Sequence, residues 1–291
     1  MTATATSLDW LRVTFAYGRE DFSDYQPTTQ GGELRDRRPM KPYSDAKENR
    51  YQSIHWSDVH PEWRVMVEMT GKQLSAYRKD GHSIPELLKW AIALEGQFTR
   101  IDFAVDLFDS EGDPMDLYHC FHTSQVDTIA KSISVVEKTR KKATMGATVY
   151  IGSRASERMV RVYDKGKQAK TRLDWIRVEI EVKGKRAQQF GELLHEHGVT
   201  EAGLSCLADV IAWTDVPWFN EIWSDEFSQI DIDAIGRPET DRERWLRTVV
   251  IPVIAEEVEQ GAEWLVMALE AILQSDHDRS QHGPRLTIPH K

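Results

Sequence analysis

The first half of the chain alternates apolar and polar residues with the two-residue period of β-strands. In residues 9–17, Leu11, Val13 and Phe15 fall on one side of an extended chain, which predicts a strand. Similar patterns predict five more strands, over residues 62–71, 99–109, 147–153, 158–166 and 174–184. The last three follow one another closely, with turn residues between them, and therefore predict an antiparallel meander. Residues 18–50 have no period, and their Gly, Pro and charged residues predict a long loop or a weak hairpin.

Apolar residues recur at helical spacing within residues 83–96 and again through the last third of the chain. Residues 83–96 combine Ser83 as N-cap, Glu86 three positions later and Gly96 as the stop. The same spacing predicts later helices over residues 185–198, 200–213, 239–260 and 261–274. Thr200 is the expected N-cap of the second of these. The chain is thus predicted to be an α+β protein, with a mainly antiparallel sheet followed by an acidic helical C-terminal region.

A length of 291 residues is enough for one or two domains with a substantial core. We expect a sheet-rich core over residues 1–186, a helical region packed on it over 187–275, and a flexible tail over 276–291. Two cysteines exclude a disulfide scaffold and a Cys-rich zinc cluster, and they fit the reducing cytoplasm. The longest apolar run has about seven residues, far fewer than a membrane-spanning helix needs. The N-terminus lacks the pattern of a signal peptide.

The net charge of −10 argues, by itself, against a protein that binds nucleic acid. The charge is unevenly distributed, however: −7 over residues 1–130, +10 over 131–186 and −13 over 187–291. Phosphate binding depends on the charge within a screening distance of about 8–10 Å rather than on the molecular total. The +10 segment is therefore either a solvated basic face that balances its acidic neighbours or a surface that binds phosphate.

Three of the predicted strands carry ionisable residues on one face and apolar residues on the other. The polar faces are Arg100, Asp102, Ala104 and Asp106 in the first strand, Arg161, Tyr163 and Lys165 in the second, and Arg177, Glu179 and Glu181 in the third. An antiparallel sheet with one solvated face is the ordinary explanation of such a pattern. If the strands share a sheet, however, four carboxylates meet beside a tyrosine. Carboxylates that repel one another are stabilised by a cation, and an all-oxygen set prefers Mg²⁺ or Mn²⁺.

Four motifs in these strands resemble the replication initiation factor family. They are, in order, the strand "TRIDFAVDLFD" (99–109), the turn "YIGSRAS" (150–156), the strand "RVYDK" (161–165) and the strand "RVEIE" (177–181). Together they extend over about a third of the chain. The family contains rolling-circle initiators of small staphylococcal-type plasmids, their relatives in filamentous phages, and related relaxases of conjugative elements.

The resemblance implies an enzyme that nicks one DNA strand at an origin and rejoins it through a 5′-phosphotyrosine intermediate. Matched by position, Tyr163 corresponds to the nucleophile, and Asp102, Glu179 and Glu181 correspond to the ligands of a divalent metal ion, Mg²⁺ or Mn²⁺. Asp106 is a weaker fourth ligand. Lys165, Arg161 and Arg154 are expected near the scissile phosphate, where Lys165 and Arg161 would favour the phenolate form of Tyr163.

The same resemblance assigns DNA contacts to the basic segment, through Arg154, Arg158, Lys167, Lys170, Lys183, Lys185 and Arg186. The implied partners are double-stranded origin DNA with an exposed single strand at the nick, a host helicase, and a second copy of the chain in a homodimer. A separate helicase is expected because the sequence has no Walker lysine motif. No membrane partner is expected, and the cytoplasm is the expected location.

Several alternatives remain open from the sequence. A relaxase for conjugative transfer has the same chemistry, and a non-catalytic DNA-binding regulator would keep the fold, although clustered carboxylates repel phosphate. Tyr150 and Tyr17 are rival nucleophiles. The pairs His195–His197 and His119–His122 have metal-ligand spacing but fit surface or structural positions. Three tryptophans suit either base stacking or a helix-packing core: Trp213, Trp218 and Trp223.

Overall fold

The computed structural model describes residues 3–16, 30–60, 62–140, 143–171, 173–223 and 230. The chain divides into two units, Met1–Ile235 and Gly236–Lys291, and the described residues all belong to the first. The helices predicted over 239–260 and 261–274, and the predicted tail, lie outside the described residues. None of the helices in the described part of the chain has both the length and the apolar composition needed to cross a membrane.

The described part of the chain contains strands and helices with the following bounds. The strands are β1 (Ala3–Phe15), β2 (Arg35–Asp36), β3 (Asp45–Glu48), β4 (Ser53–Trp56), β5 (Val65–Thr70), β6 (Gln97–Phe108), β7 (Val126–Thr128), β8 (Ile133–Arg140), β9 (Ala143–Ile151), β10 (Arg158–Asp164), β11 (Trp175–Lys183) and β12 (Ile211–Thr214). The helices are α1 (Gly71–Lys79), α2 (Ile84–Ala93), α3 (Pro114–His122), α4 (Lys165–Ala169), α5 (Gly184–His197), α6 (Val199–Ala208) and α7 (Pro217–Asn220).

Ten of these strands form one sheet in the order β2-β3-β4-β5-β1-β6-β11-β10-β9-β8. Every pairing in the sheet is antiparallel. Strands β7 and β12 pair separately. The predicted α+β class and antiparallel sheet are therefore confirmed, as is the meander, which is β9-β10-β11. The weak hairpin expected within residues 18–50 is the pair β2-β3.

Helix α1 begins where the sequence pattern predicted only the end of a strand. Thr70, the last residue of β5, caps the helix, and its backbone N–H donates to Gln73 Oε1, so strand and helix join without a loop. Gly71, the last residue of the strand predicted over 62–71, is the first residue of this helix.

Both ends of the helix predicted over residues 200–213 are wrong. The observed helix α6 begins at Val199 with Gly198 as N-cap, whereas the hydroxyl of Thr200 lies 2.7 Å from that of Thr6 on β1. It ends at Ala208, and the β-branched and aromatic residues that follow form β12, because they pair with β7.

The apolar face of β6 is the centre of the core. Phe98, Ile101, Phe103 and Val105 are completely buried there. Helices α5 and α6 approach this face at glycines: a β-carbon on Gly191 would overlap the ring of Phe98, and one on Gly203 would overlap the ring of Phe103. Because α5 and α6 cover the apolar face of β6, the polar side chains of β6 lie on the other face of the sheet.

We expect Gly203→Ala to destabilise the protein. Overpacking a core costs about 1–3 kcal/mol, and the better helix propensity of alanine returns only about 1 kcal/mol. The measurement is the free energy of unfolding from urea denaturation. Glu201→Ala, on the exposed side of the same helix, is the control and should change it by less than about 0.5 kcal/mol. A more stable Gly203→Ala variant would contradict the packing described here.

Candidate active site on the polar face of the sheet

A row of mostly charged residues crosses the polar face of the large sheet. Its members lie directly opposite one another on six adjacent strands, from β3 to β11, and we call them the charged row: Glu48, Ser53, Glu68, Arg12, Arg100 and Lys183. Guanidinium and carboxylate groups pair along it. Arg12 Nη2 lies 2.6 Å from Glu68 Oε1, and Arg37 donates from Nη1 to Glu48 and to Ser53.

Three carboxylates predicted as a group do lie together beside this row. Glu181 is opposite Asp102, and Glu179 is two positions away on the same face of β11. Arg161 on β10 is opposite Glu179 and bridges it to Asp102, whose Oδ2 lies 3.0 Å from Arg161 Nη2. Arg100 bridges Asp102 to Glu181, at 2.7 Å from each. The positive charges of two guanidinium groups thus partly neutralise the negative charges of three carboxylates.

Glu179 is the most strongly perturbed acid of this group. Its side chain is only 3% exposed. Burial raises the pKa of Glu179 to about 7, although Arg161 opposes the shift. A carboxyl group with such a pKa can both accept and release a proton near neutral pH.

Tyr163 lies on the same face, next to Glu179. Its hydroxyl donates to Glu179 Oε2 at 3.1 Å, and the residue is 9% exposed. Burial, with Glu179 second, raises the pKa of Tyr163, while Arg177 lowers it. Burial thus outweighs the effect of the neighbouring cations on the pKa of Tyr163, and the guanidinium of Arg161 contacts Asp102 and Glu179.

Arg177 is a site residue that the sequence pattern does not assign to the catalytic set. It lies opposite Tyr163 on β11 and opposite Asp106 on β6. It donates from Nε and Nη2 to the two oxygens of Asp106 and from Nη1 to Asp9, each at 2.7 Å. These carboxylates raise its pKa, so the charge beside Tyr163 is permanent. The signal was present in the sequence, since Arg177 shares a strand face with Glu179.

Asp106 is not brought into the carboxylate group. It lies four residues along β6 from Asp102, about 13 Å at 3.3 Å per residue. Arg177 and the indole of Trp175 hold its oxygens. Lys165 lies nearer the tyrosine, with Nζ 5.6 Å from the centre of the Tyr163 ring, and burial lowers its pKa.

The basic residues predicted to contact DNA fall into two groups at opposite ends of β10. Arg154, Arg158, Lys183, Lys185 and Arg186 lie near its start, where Lys183 Nζ donates to the Arg154 carbonyl and Arg158 pairs with Asp209. Lys167 and Lys170 lie after its end, on and beside α4, and Lys167 pairs with Asp164 at 2.8 Å.

The rival residues are placed as follows. Tyr150 is on the polar face, opposite Arg161, with Arg154 against its ring and hydroxyl, whereas Tyr17 lies outside the described residues. Trp218 is buried, while Trp213 is half exposed. The histidine pairs lie at the ends of α3 and α5. Among the described residues, no three His, Cys, Asp or Glu side chains are grouped so as to hold a metal ion as they stand.

The carboxylates suit a hard divalent ion by chemistry. Asp102, Glu179 and Glu181 offer only oxygen, as Mg²⁺ and Mn²⁺ prefer. Their charge is compensated by guanidinium groups that already lie between them. A metal ion at this position would therefore compete with Arg100 and Arg161 for the same oxygens.

Comparison with known proteins confirms the resemblance seen in the motifs. Residues 96–222 match the family model described as replication initiation factor. The fold is similar to that of the rolling circle replication initiator protein from Geobacillus stearothermophilus, with a TM-score of 0.62 and 21% sequence identity over 76% of this chain and 96% of that one. No curated protein matches the chain.

Proposed function

We propose that this chain, whose residues 96–222 match the replication initiation factors, starts rolling-circle replication by nicking one strand of origin DNA with Tyr163. The observation that carries the proposal is the hydrogen bond from the Tyr163 hydroxyl to the buried Glu179, on a face that also holds Asp102 and Glu181. A protein that only binds DNA gains nothing from buried carboxylates at its tyrosine, because they repel phosphate.

The reaction is a transfer of a phosphodiester bond. The Tyr163 oxygen attacks the phosphorus in line, its proton passes to Glu179 Oε2, and the bond from phosphorus to the 3′ oxygen breaks. The 3′ oxygen takes a proton from solvent water and leaves as a hydroxyl, and the 5′ phosphate stays on the tyrosine. Because the new ester conserves the energy of the old one, the reverse transfer can rejoin the strand.

Charge near Tyr163 assists the transfer. The fixed cation of Arg177, opposite Tyr163, stabilises negative charge on the phenol oxygen as the proton leaves. Lys165, near the ring of the tyrosine, is placed to pair with non-bridging oxygens of the phosphate. Arg161 holds Glu179 by its other oxygen, Oε1, which leaves Oε2 directed at the tyrosine.

Asp102, Glu179 and Glu181 would hold the divalent ion, Mg²⁺ or Mn²⁺. The ion would supply charge neutralisation at the phosphate when bound. Of the residues matched to metal ligands, Asp106 would take no part, because it lies four residues along β6 from Asp102, about 13 Å away.

Substitution of the assigned ligands should weaken metal binding. We expect Glu181→Gln to weaken Mn²⁺ binding at least tenfold, because it removes a charged ligand, and EDTA to stop nicking until Mn²⁺ or Mg²⁺ is restored. The measurement is the free Mn²⁺ signal in electron paramagnetic resonance, and Asp106→Asn is the matched control. Equal weakening in both variants would contradict the three-ligand assignment.

The remaining roles in this proposal are those that the resemblance to replication initiation factors implies. The substrate is double-stranded origin DNA with a single strand exposed at the nick, since a duplex restricts in-line attack by a side chain so deeply set. A host helicase would unwind the DNA, a homodimer would place two copies on the origin, and the reaction would occur in the cytoplasm. Arg154, Arg158, Lys183, Lys185, Arg186, Lys167 and Lys170 would contact the DNA backbone from the two ends of β10.

The test of the function is incubation with supercoiled plasmid that carries the cognate origin. Relaxed or open-circular plasmid with a protein–DNA adduct mapped to Tyr163 is the expected result. An adduct on another residue would overturn the assignment of the nucleophile, and tight binding with neither nick nor adduct would support the regulator instead.

A further inference from the structure

A second group of cations surrounds a cavity of about 680 Å³ beside helix α1. Arg37, Arg50, Lys72 and Lys79 contribute positive charge to its wall, and Glu48 is the single acid among the described residues that line it. The remaining lining is polar except for one alanine. This region belongs to the first 130 residues, whose summed charge is negative, so the total hides a local positive site.

The helix presents one face to the cavity. Lys72, Ser75, Ala76 and Lys79 line it at the spacing i, i+3, i+4 and i+7, which is one side of an α-helix. Lys72 and Lys79 are seven residues apart, about 10 Å along the axis. At this separation the two ammonium groups can contact different phosphates of one DNA strand. Lys72 also lies in the first turn, where unpaired N–H groups favour an anion.

The cavity is continuous with the polar face that carries Tyr163. The charged row ends at Glu48, and Arg37, which pairs with Glu48 at 3.1 Å, also lines the cavity. On the other wall, Arg50 is oriented by Asp80 at 2.8 Å. None of the described residues that line the wall is aromatic, which leaves charge rather than base stacking as the means of recognition.

The geometry points to this cavity as a second binding site for the phosphate backbone of single-stranded DNA, on the strand that flanks the nick. The strand passes from Tyr163 along the charged row, and its phosphates enter the cavity between Lys72 and Lys79. The inference rests on the proposed function and adds to it a contact several nucleotides from the reacting phosphate. It gives affinity without sequence preference, because phosphates carry no sequence information.

The test is the salt dependence of binding to a fluorescent, mixed-sequence 30-nucleotide single strand, measured by anisotropy. Each phosphate contact contributes about 0.7 to the slope of log affinity against log salt for single strands, so Lys72→Gln/Lys79→Gln should lower the slope by about 1.4 and weaken binding roughly 10- to 30-fold at 0.1 M salt. Both lysines are exposed, so neither change disturbs the core. Lys89→Gln, an exposed lysine of α2 outside the cavity, is the matched control and should bind like the unmodified protein.

A slope and an affinity equal to those of Lys89→Gln would overturn the cavity site. The adduct assay is read separately: failure of the Tyr163 adduct with the lysine effect preserved would overturn the nicking function and leave a phosphate-binding cavity.

Discussion

Tyr163→Phe is expected to abolish covalent attachment to DNA while leaving binding to duplex origin DNA nearly unchanged. The substitution removes the only atom that can attack phosphorus in the proposed reaction and keeps the ring that packs in the site. It also leaves Glu179 Oε2 without its hydrogen-bond donor, which should cost about 1–2 kcal/mol of stability. The measurement is the adduct seen by denaturing electrophoresis of protein with labelled origin DNA, beside affinity from anisotropy.

Tyr150→Phe is the matched control for this result. Tyr150 lies on the same polar face but its hydroxyl contacts Arg154 rather than an acid, so the adduct should form at the normal rate. Adduct formation by Tyr163→Phe would show that Tyr163 is not the nucleophile. Loss of the adduct in Tyr150→Phe alone would assign that role to Tyr150. A folded Tyr163→Phe protein that no longer binds duplex would show that the tyrosine serves recognition instead.

Arg177→Met should be the most destabilising single change in the site. The substitution leaves Asp106 buried with the indole of Trp175 as its remaining partner in the ion-pair cluster, and it frees Asp9. Breaking a buried ion pair by removal of one partner costs about 3–5 kcal/mol. For a unit of this size that cost corresponds to a fall in Tm of about 10 °C. The measurements are urea denaturation and thermal unfolding.

Two further variants distinguish the stability lost with the buried ion pair from a nonspecific effect of replacing an arginine. Arg50→Met breaks an exposed pair with Asp80 and should cost less than about 1 kcal/mol. Arg177→Met/Asp106→Leu removes both buried charges and should recover much of the lost stability, since an apolar replacement of a whole pair is often neutral. If Arg177→Met and Arg50→Met were equally mild, the buried cluster would not stabilise the fold.

Much of the site was accessible from the sequence because strand periodicity determines which residues share a face. The two-residue period of a strand is enough to predict that Arg161 and Tyr163 share one face, and that Glu179 and Glu181 do so as well. The pairing of those carboxylates with arginines did not follow from it, since cross-strand partners depend on the register between distant segments. For that reason the sequence predicted repelling carboxylates that call for a metal ion, whereas the structure has guanidinium groups between them.

The fold was predictable where local signals were strong. Ser83 caps a helix as its sequence pattern indicates, and β6 follows its alternation. Helix α1 was missed because its cap, Thr70, also ends a strand, so the two periods meet without a turn. The strand β8 was missed because its partner is β9, and pairing rather than periodicity defines it.

The bulge in β1 ties the register of one strand to the electrostatics of the site. Leu8 pairs with Phe103 and Trp10 with Asp102, so Asp9 is an additional residue in the ladder. It turns toward the polar face, where it holds Arg177. Loss of one residue here would preserve a full-length ladder and yet remove one of the two carboxylates that hold this arginine. Alignments of relatives should therefore show β1 constrained in length as strictly as in composition, with gaps excluded between the residues that match Leu8 and Trp10.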